Sequence, residues 1–276
     1  VAWFSRTAVI PVVSLAGAIM ARTRGGPGLS AAGVEPALEA AFKLKAPAVA
    51  LEINSPGGSP VQSHLIHDRV RVLAKRHNRP VLAFTTDVAA SGGYILALAG
   101  DEIIAAPDSL VGSIGVISGG FGFVDAIARL GIERRVYTAG TNKAFLDPFL
   151  PEQPDNLERL KEIQTAVHAR FVELVRSRRG SRLAADDRLF TGQVFAGSEA
   201  VALGLVDATG SLRDTLEQRY GEKIRLKRFG IARKRWPLGL LGGSAPASPP
   251  AGLLADWSEQ LLDTLEERAL WARFGL

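Results

Sequence analysis

PVLAFTTDVAASGGYILALAG, residues 80–100, is the stretch that decides the fold. Its opening run, PVLAFTT (80–86), reads as a buried strand, and its closing run, YILALAG (94–100), reads as the inward face of a helix. The junction between them is short and built from small residues. Ser91 in that junction admits two readings. As a helix cap it would accept from N–H groups two or three residues on. As a nucleophile it would be displayed at the edge of a sheet. Gly92 and Gly93 favour the second reading, because a cap needs only the serine, whereas glycine leaves room for a substrate backbone to come close.

Working outward, the same alternation of β-rich and helical runs continues. Upstream, AVIPVVSLAGAIM (8–20) reads as a first core strand, and PAVALEI (47–53) as a second. The loop NSPGGS leads into a helix from Pro60 to about Arg76, with proline at a favoured first helical position. Downstream come a strand EIIAA (102–106), a helix FVDAIARLG closed by Gly131, and a strand ERRVYTA (133–139). A long amphipathic helix over 155–178 follows, with Leu157, Leu160, Ile163, Val167, Phe171 and Leu174 at helical spacing. Strands alternating with helices imply an α/β protein with parallel strands and packed helices.

The 276 residues, 47% hydrophobic, suffice for one large core, or one core with a small appendage. The absence of cysteine excludes disulfides, thiolate metal sites and a cysteine nucleophile. The net charge of +5 is concentrated in EKIRLKRFGIARKR (222–235), with seven Lys/Arg against one Glu. Nucleic-acid binding calls for basic residues spread over a groove-sized face with stacking aromatics, so no nucleic-acid partner is expected. A solvated basic strand is favoured there, with an anionic lipid or acidic partner as the minority reading. WPLGLLGGSAPASPPAG (236–252) is a linker, and a final helix over about 253–274 carries an apolar face opposite an acidic one. That acidic face favours packing on the body or on a neighbouring subunit over lipid. The chain thus divides into a main domain, 1–220, and a tail, 221–276. No stretch reads as a membrane span: the apolar run at 8–20 is broken by Pro11 and Gly17, and a span takes about 20 residues. Nor is the run framed as a signal peptide.

Three segments could carry chemistry. NSPGG (54–58) joins a strand to a helix and lacks the spacing of a phosphate-binding loop. On its own residues it is a plain tight turn, with an oxyanion-binding loop as the alternative. Ser91, with the N–H of Gly92, is the second. The third is Lys143, in YTAGTNKAFLDPFLPEQPD (137–155), without a charged residue within three positions and flanked by Phe145, Leu146 and Phe149. Lysine serves as a base where desolvation disfavours its charged form, although a surface loop is the ordinary place for one. His64, His67 and His168 read as solvated helix residues, His77 lies near the end of the helix that carries the first two, and the His64–His67 pair is only a weak metal signal.

Taken together, LEINSPGGSPVQS, DVAASGGYILALAGDEIIAAPDSLVGSIGVI, NKAFLDPF and GQVFAGSEAVALGLVDATG resemble the signal peptide peptidase A (protease IV-like) family of bacterial serine proteases, peptidase family S49, in its short single-unit form. The resemblance covers about residues 8–220. It implies the Clp protease/crotonase-like spiral of β-β-α units and a Ser/Lys dyad with no metal and no cofactor. By that carry-over Ser91 is the nucleophile, Lys143 the general base, Gly58 and Gly92 the oxyanion donors, and Ser113 the residue that orients the lysine. Independently, a Clp-type histidine shortly after the serine is missing, since residues 92–142 contain none. The resemblance also implies hydrophobic, signal-peptide-like substrates and a ring-shaped homo-oligomer. Many members carry a membrane anchor, and this chain shows none, so membrane-associated and soluble states both stay open, as does the side of the membrane. The tail is the candidate for peripheral attachment. A crotonase-like acyl-CoA enzyme and a non-catalytic assembly scaffold are the competing readings.

Overall fold

The computed structural model describes residues 7–21, 29–140, 142–231 and 268–275. The linker and the start of the final helix expected from the sequence fall outside these residues. Four apolar runs form the centre: β1 (Ala8–Ala16), β2 (Val49–Ser55), β3 (Val81–Ala90) and β4 (Glu102–Ala105). With β5 (Leu110–Gly112), β6 (Val194–Ala196), β7 (Ala208–Thr209) and β8 (Ile224–Phe229) they make one eight-stranded sheet. Its main path is β6-β5-β3-β2-β1-β8, while β4 pairs with β3 and β7. Every pairing is parallel except β5 with β6. The basic strand β8 lies on the sheet edge beside β1, within the same sheet as the main domain.

Side-chain alternation sorts the strands onto two faces. Val13, Leu15, Val49, Leu51, Val81 and Ala83 point to the larger core, beneath α1 (Ala31–Lys43), α2 (Pro60–His77), α3 (Gly92–Ala97) and part of α5 (Pro154–Arg179). Ile10, Val12, Ala50, Leu82 and Phe84 point the other way, to a smaller core closed by Leu216 of α7 (Leu212–Tyr220). The helices are α-class elements with legible caps: Ser30 and Ser59 accept from Gly33 and Gln62, and Pro60 opens α2.

β3 changes partner midway, and that change positions the site. Leu82–Thr85 pair with β4, whereas Val88–Ala90 pair with β5. The β2–β3 register also shifts after Ile53. Asn54 stitches the irregularity by accepting from the Val88 N–H at 3.2 Å and donating to Asp87. The end of β3 is thereby carried beyond the β4 neighbour and fans out beside β5.

Beyond β5 the chain leaves the core as an arm, residues 116–150, that returns to the body through α5 (Pro154–Arg179). Within it α4 (Val124–Arg129) contributes no buried residue. The strand expected over 133–139 is absent: these residues are irregular and mostly exposed. Its β-rich composition lacks a sheet edge to pair with, since a strand needs backbone partners as well as propensity. The second half of α5 docks through Phe171 and Val175, while Ile163 in its first half stays exposed. α6 (Gly197–Ala202) packs between β6 and β7.

Candidate active site

Parallel strands end on the same edge of a sheet, so the loops after β2, β3 and β5 meet at one place. They supply Gly58, Ser91 and Ser113, which line a single cleft of about 710 Å³. The β3–β5 ladder runs right up to the two serines: the Ser91 N–H donates to the Gly112 carbonyl at 2.8 Å, one residue before Ser113. Both serines have positive φ, 53° and 51°, a conformation uncommon outside glycine. Strain of this kind persists where the surroundings over-determine the backbone.

For Ser91 the surroundings are explicit. The Ser91 carbonyl is the first acceptor of α3, taking N–H bonds from Tyr94 and Ile95, so Gly92 and Gly93 have no intrahelical acceptor. The Ser91 hydroxyl makes no capping bond, which removes the cap reading. Neither it nor the Ser113 hydroxyl is bonded to another described residue. α3 is buried along its whole length, and Tyr94 anchors it by donating to the Leu205 carbonyl at 2.7 Å. Burial raises the Tyr94 phenol well above its ordinary range.

The glycines have a steric reason as well as an electrostatic one. A Cβ on Gly93 would lie 2.4 Å from the Ser55 carbonyl oxygen, and one on Gly92 would lie 2.4 Å from the Ser63 hydroxyl. A Cβ on Gly58, at φ 137°, would lie 2.2 Å from the Ile19 carbonyl oxygen. Gly58 is pinned there because Ile19 bonds its neighbours on either side, donating to the Gly57 carbonyl and accepting from Ser59. That ladder skips the Gly58 N–H. Gly58 and Gly92 thus carry backbone N–H groups without a described protein acceptor, and both line one recess with Ser91; donors of this kind are what a tetrahedral oxyanion requires.

Lys143 is elsewhere. It is exposed on the arm, its N–H bonded to the Gly140 carbonyl, and it is not among the residues lining the Ser91 cleft. The arm is organised locally: Phe123 stacks on Phe149 with 5.4 Å between ring centroids, Arg134 lies over Phe149, and Arg134 pairs with Asp147 at 2.9 Å. That ion pair, after the bond from the Phe149 N–H, holds the Asp147 carboxyl below its ordinary range. Around this unit Ile117, Phe121, Leu130, Ile132 and Tyr137 are exposed, Phe121 by 81% and Tyr137 by 91%.

Three histidines depart from the sequence expectation. His64 and His67 are buried, 8% and 5% exposed, on the inward face of α2 with Ile66 and Val70. The spacing of Ser63, Ile66, His67, Val70, Leu73 and Ala74 carried that face in the sequence. Burial lowers the pKa of both imidazoles. His168 is half-buried, lines the cleft, and places Nε2 3.1 Å from the Ile114 carbonyl, just beyond Ser113. Leu270 and Arg273, from the short helical segment at 268–272, form part of the cleft wall, as do Thr191 and Gly192. Among the described residues no group of three or more His, Cys, Asp or Glu could hold a metal ion. No helix among them is long and apolar enough to cross a membrane.

The fold is shared with a solved protease. A membrane-bound stomatin-specific protease, 1510-N in its S97A form, superposes with a TM-score of 0.52 at 14% identity, covering 82% of this chain and 99% of that one. Ser91 is displayed at the carboxyl edge of this parallel sheet, directly after β3. The family is settled by sequence: the model of peptidase family S49 matches residues 73–223, and the chain belongs to that family. Protease 4 of Haemophilus influenzae is 33% identical over 173 residues, 62% of this chain and 28% of that protein. The chloroplastic serine protease SPPA of Arabidopsis thaliana is 31% identical over 169 residues, 60% of this chain and 24% of that one. Two Brucella proteins, of B. abortus and B. melitensis, are 50% identical over 274 residues, 97% of this chain, and are described as Na(+)/H(+) antiporters NhaA. The chain spans 37% of the length of each, leaving most of those proteins uncovered.

Proposed function

We propose that this chain is a serine endopeptidase that cleaves apolar peptides, such as spent signal peptides, with a Ser91/Lys143 dyad completed between neighbouring copies. Lys143 of one copy takes the Ser91 Oγ proton of the next as Oγ bonds the peptide carbonyl carbon. The oxygen of the tetrahedral intermediate accepts from Gly58 and Gly92. Collapse breaks the C–N bond, the lysine returns its proton to the departing amine, and water then hydrolyses the Ser91 ester by the same proton route. Ser113, beside Ser91, is the partner that steadies the incoming ammonium or amine.

The observation that carries this reading is the separation of the two halves. Among the described residues the Ser91 hydroxyl and the Gly58 and Gly92 N–H groups have no partner and line one recess, while Lys143 stands on an exposed arm outside its own chain's cleft. The apolar residues exposed along that arm form a patch suited to a second copy of the chain. Closed rings arise when such head-to-tail contacts repeat.

Ser91→Ala and Lys143→Ala should each lower cleavage of a defined signal-peptide fragment about a thousand-fold or more. Mixing the two inactive variants during assembly should then restore about a quarter of wild-type activity, since sites form with an intact serine facing an intact lysine. No recovery on mixing would place both groups in one chain. Full activity in either single variant would remove the dyad, and loss of labelling by a serine-acylating probe in both wild type and variant would favour an acyl-CoA enzyme or a scaffold.

A further inference from the structure

Beside Ser91 the cleft opens into a recess between α2, α3 and α5. Ser91 and Gly92 form its mouth, Ile95, Val167 and Phe171 its sides, and His64 part of its wall. The two pairs Pro60/His64 and Val167/Phe171 each stand four residues apart, so each helix presents one continuous face to the recess. The free volume is only about 20 Å³, room for one water. His64 is the one titratable side chain in this lining. It is more than nine-tenths buried, and no described residue takes a hydrogen bond from its ring or gives one to it. A buried imidazole ordinarily finds a partner, so the unfilled hydrogen-bonding capacity of His64 belongs to whatever enters the recess.

We infer that this recess receives the side chain on the acyl side of the cleaved bond, and that His64 limits that side chain to the size of alanine or serine. The inference rests on the peptidase reading above and names the specificity of that same site. The carbonyl carbon attacked by Ser91 stands one bond from the Cα that bears this side chain, and Gly58 and Ser91 are shared by the cleft and the recess. A methyl group fits the available space. A serine hydroxyl fits and also replaces the water that His64 would otherwise bond. A leucine or phenylalanine side chain needs the volume the imidazole occupies, and the surrounding core is close-packed and yields little. Apart from His64 the lining is glycine, serine, proline and apolar residues, so a charged side chain would enter without a countercharge and is excluded as well.

The test is a peptide series in one scaffold, varied only at the residue before the cleaved bond, with products identified by mass. Wild-type protein should cleave after Ala and Ser with kcat/KM at least about ten times that for Leu. His64→Ala should narrow or invert that ratio by about ten-fold or more, through gains on Leu rather than losses on Ala, while His64→Gln, close in size, should keep the wild-type order. His64→Val serves the same purpose if the alanine variant unfolds, with thermal unfolding recorded for each. An unchanged Ala/Leu ratio in a folded His64→Ala or His64→Val protein overturns the inference but leaves the peptidase reading standing, because cleavage remains Ser91-dependent. Absence of any Ser91-dependent cleavage overturns both.

Discussion

The two halves of the candidate site are built by opposite means. Ser91 stands on the best-packed part of the molecule: β3 ends against β5, α3 is buried throughout, and glycines let three backbones meet within contact distance. Lys143 stands on a loosely packed arm whose helix α4 buries no residue and on which Phe121 and Tyr137 are exposed. A core can hold a strained serine and two aligned N–H groups because surrounding atoms over-determine them. An arm cannot hold a lysine to that tolerance alone. Under the proposed dyad, a second copy covering its apolar residues would supply that rigidity, and catalysis would then depend on assembly.

Predictions can break or sharpen this contrast. The largest stability effect is expected at the glycines: Gly93→Ala forces a methyl against the Ser55 carbonyl and should cost about 2–3 kcal/mol, read from urea unfolding. A neutral Gly93→Ala would mean that the serine end is as yielding as the arm. Next, Phe123→Ala removes the stack on Phe149 and should leave the unfolding midpoint of the core nearly unchanged while lowering assembly and activity together, measured by sedimentation and peptide cleavage. A fall in activity with assembly intact would separate the arm's two roles.

The smallest effect is a pH dependence. Burial lowers the pKa of His64 and His67, the latter despite its bond to Asp68. Their folded forms therefore bind fewer protons than the unfolded chain, so stability is full above the unfolded histidine value, about 6.5, and declines as pH falls through it towards the lower folded values. Unfolding free energy should drop between pH 7 and pH 5, and His67→Leu should flatten the drop. Activity should not share the His67 component, because the buried, unpaired Nε2 of that ring is not among the cleft residues.

Much of this was legible without coordinates. Strand and helix runs at β1, β2, β3, α2 and α5 follow directly from period and capping, since Pro60 and the apolar spacing on α5 are local signals. Gly58, Ser91 and Gly92 were readable as parts of strand-to-helix loops, whereas Ser113 came only with the family resemblance, because the three-residue strand before it, β5, is too short to announce itself. The misreadings share one cause. The run 133–139 has strand composition but no edge to pair with, and His64, His67 and His168 have polar side chains on faces that turn inward. Polarity and propensity are properties of a residue, whereas pairing and burial are properties of its neighbours.

The sequence by itself therefore determined the alternation of elements, the serine at a strand-to-helix junction and the glycines that surround it, because these depend on spacing along the chain. Only the tertiary structure decided that Ser91 is not a cap, that Lys143 lies outside its own cleft, that Leu270 and Arg273 come back to wall that cleft, and that a buried histidine lines the recess beside the serine. Those facts depend on which distant segments share space, and close packing sets that for the molecule as a whole.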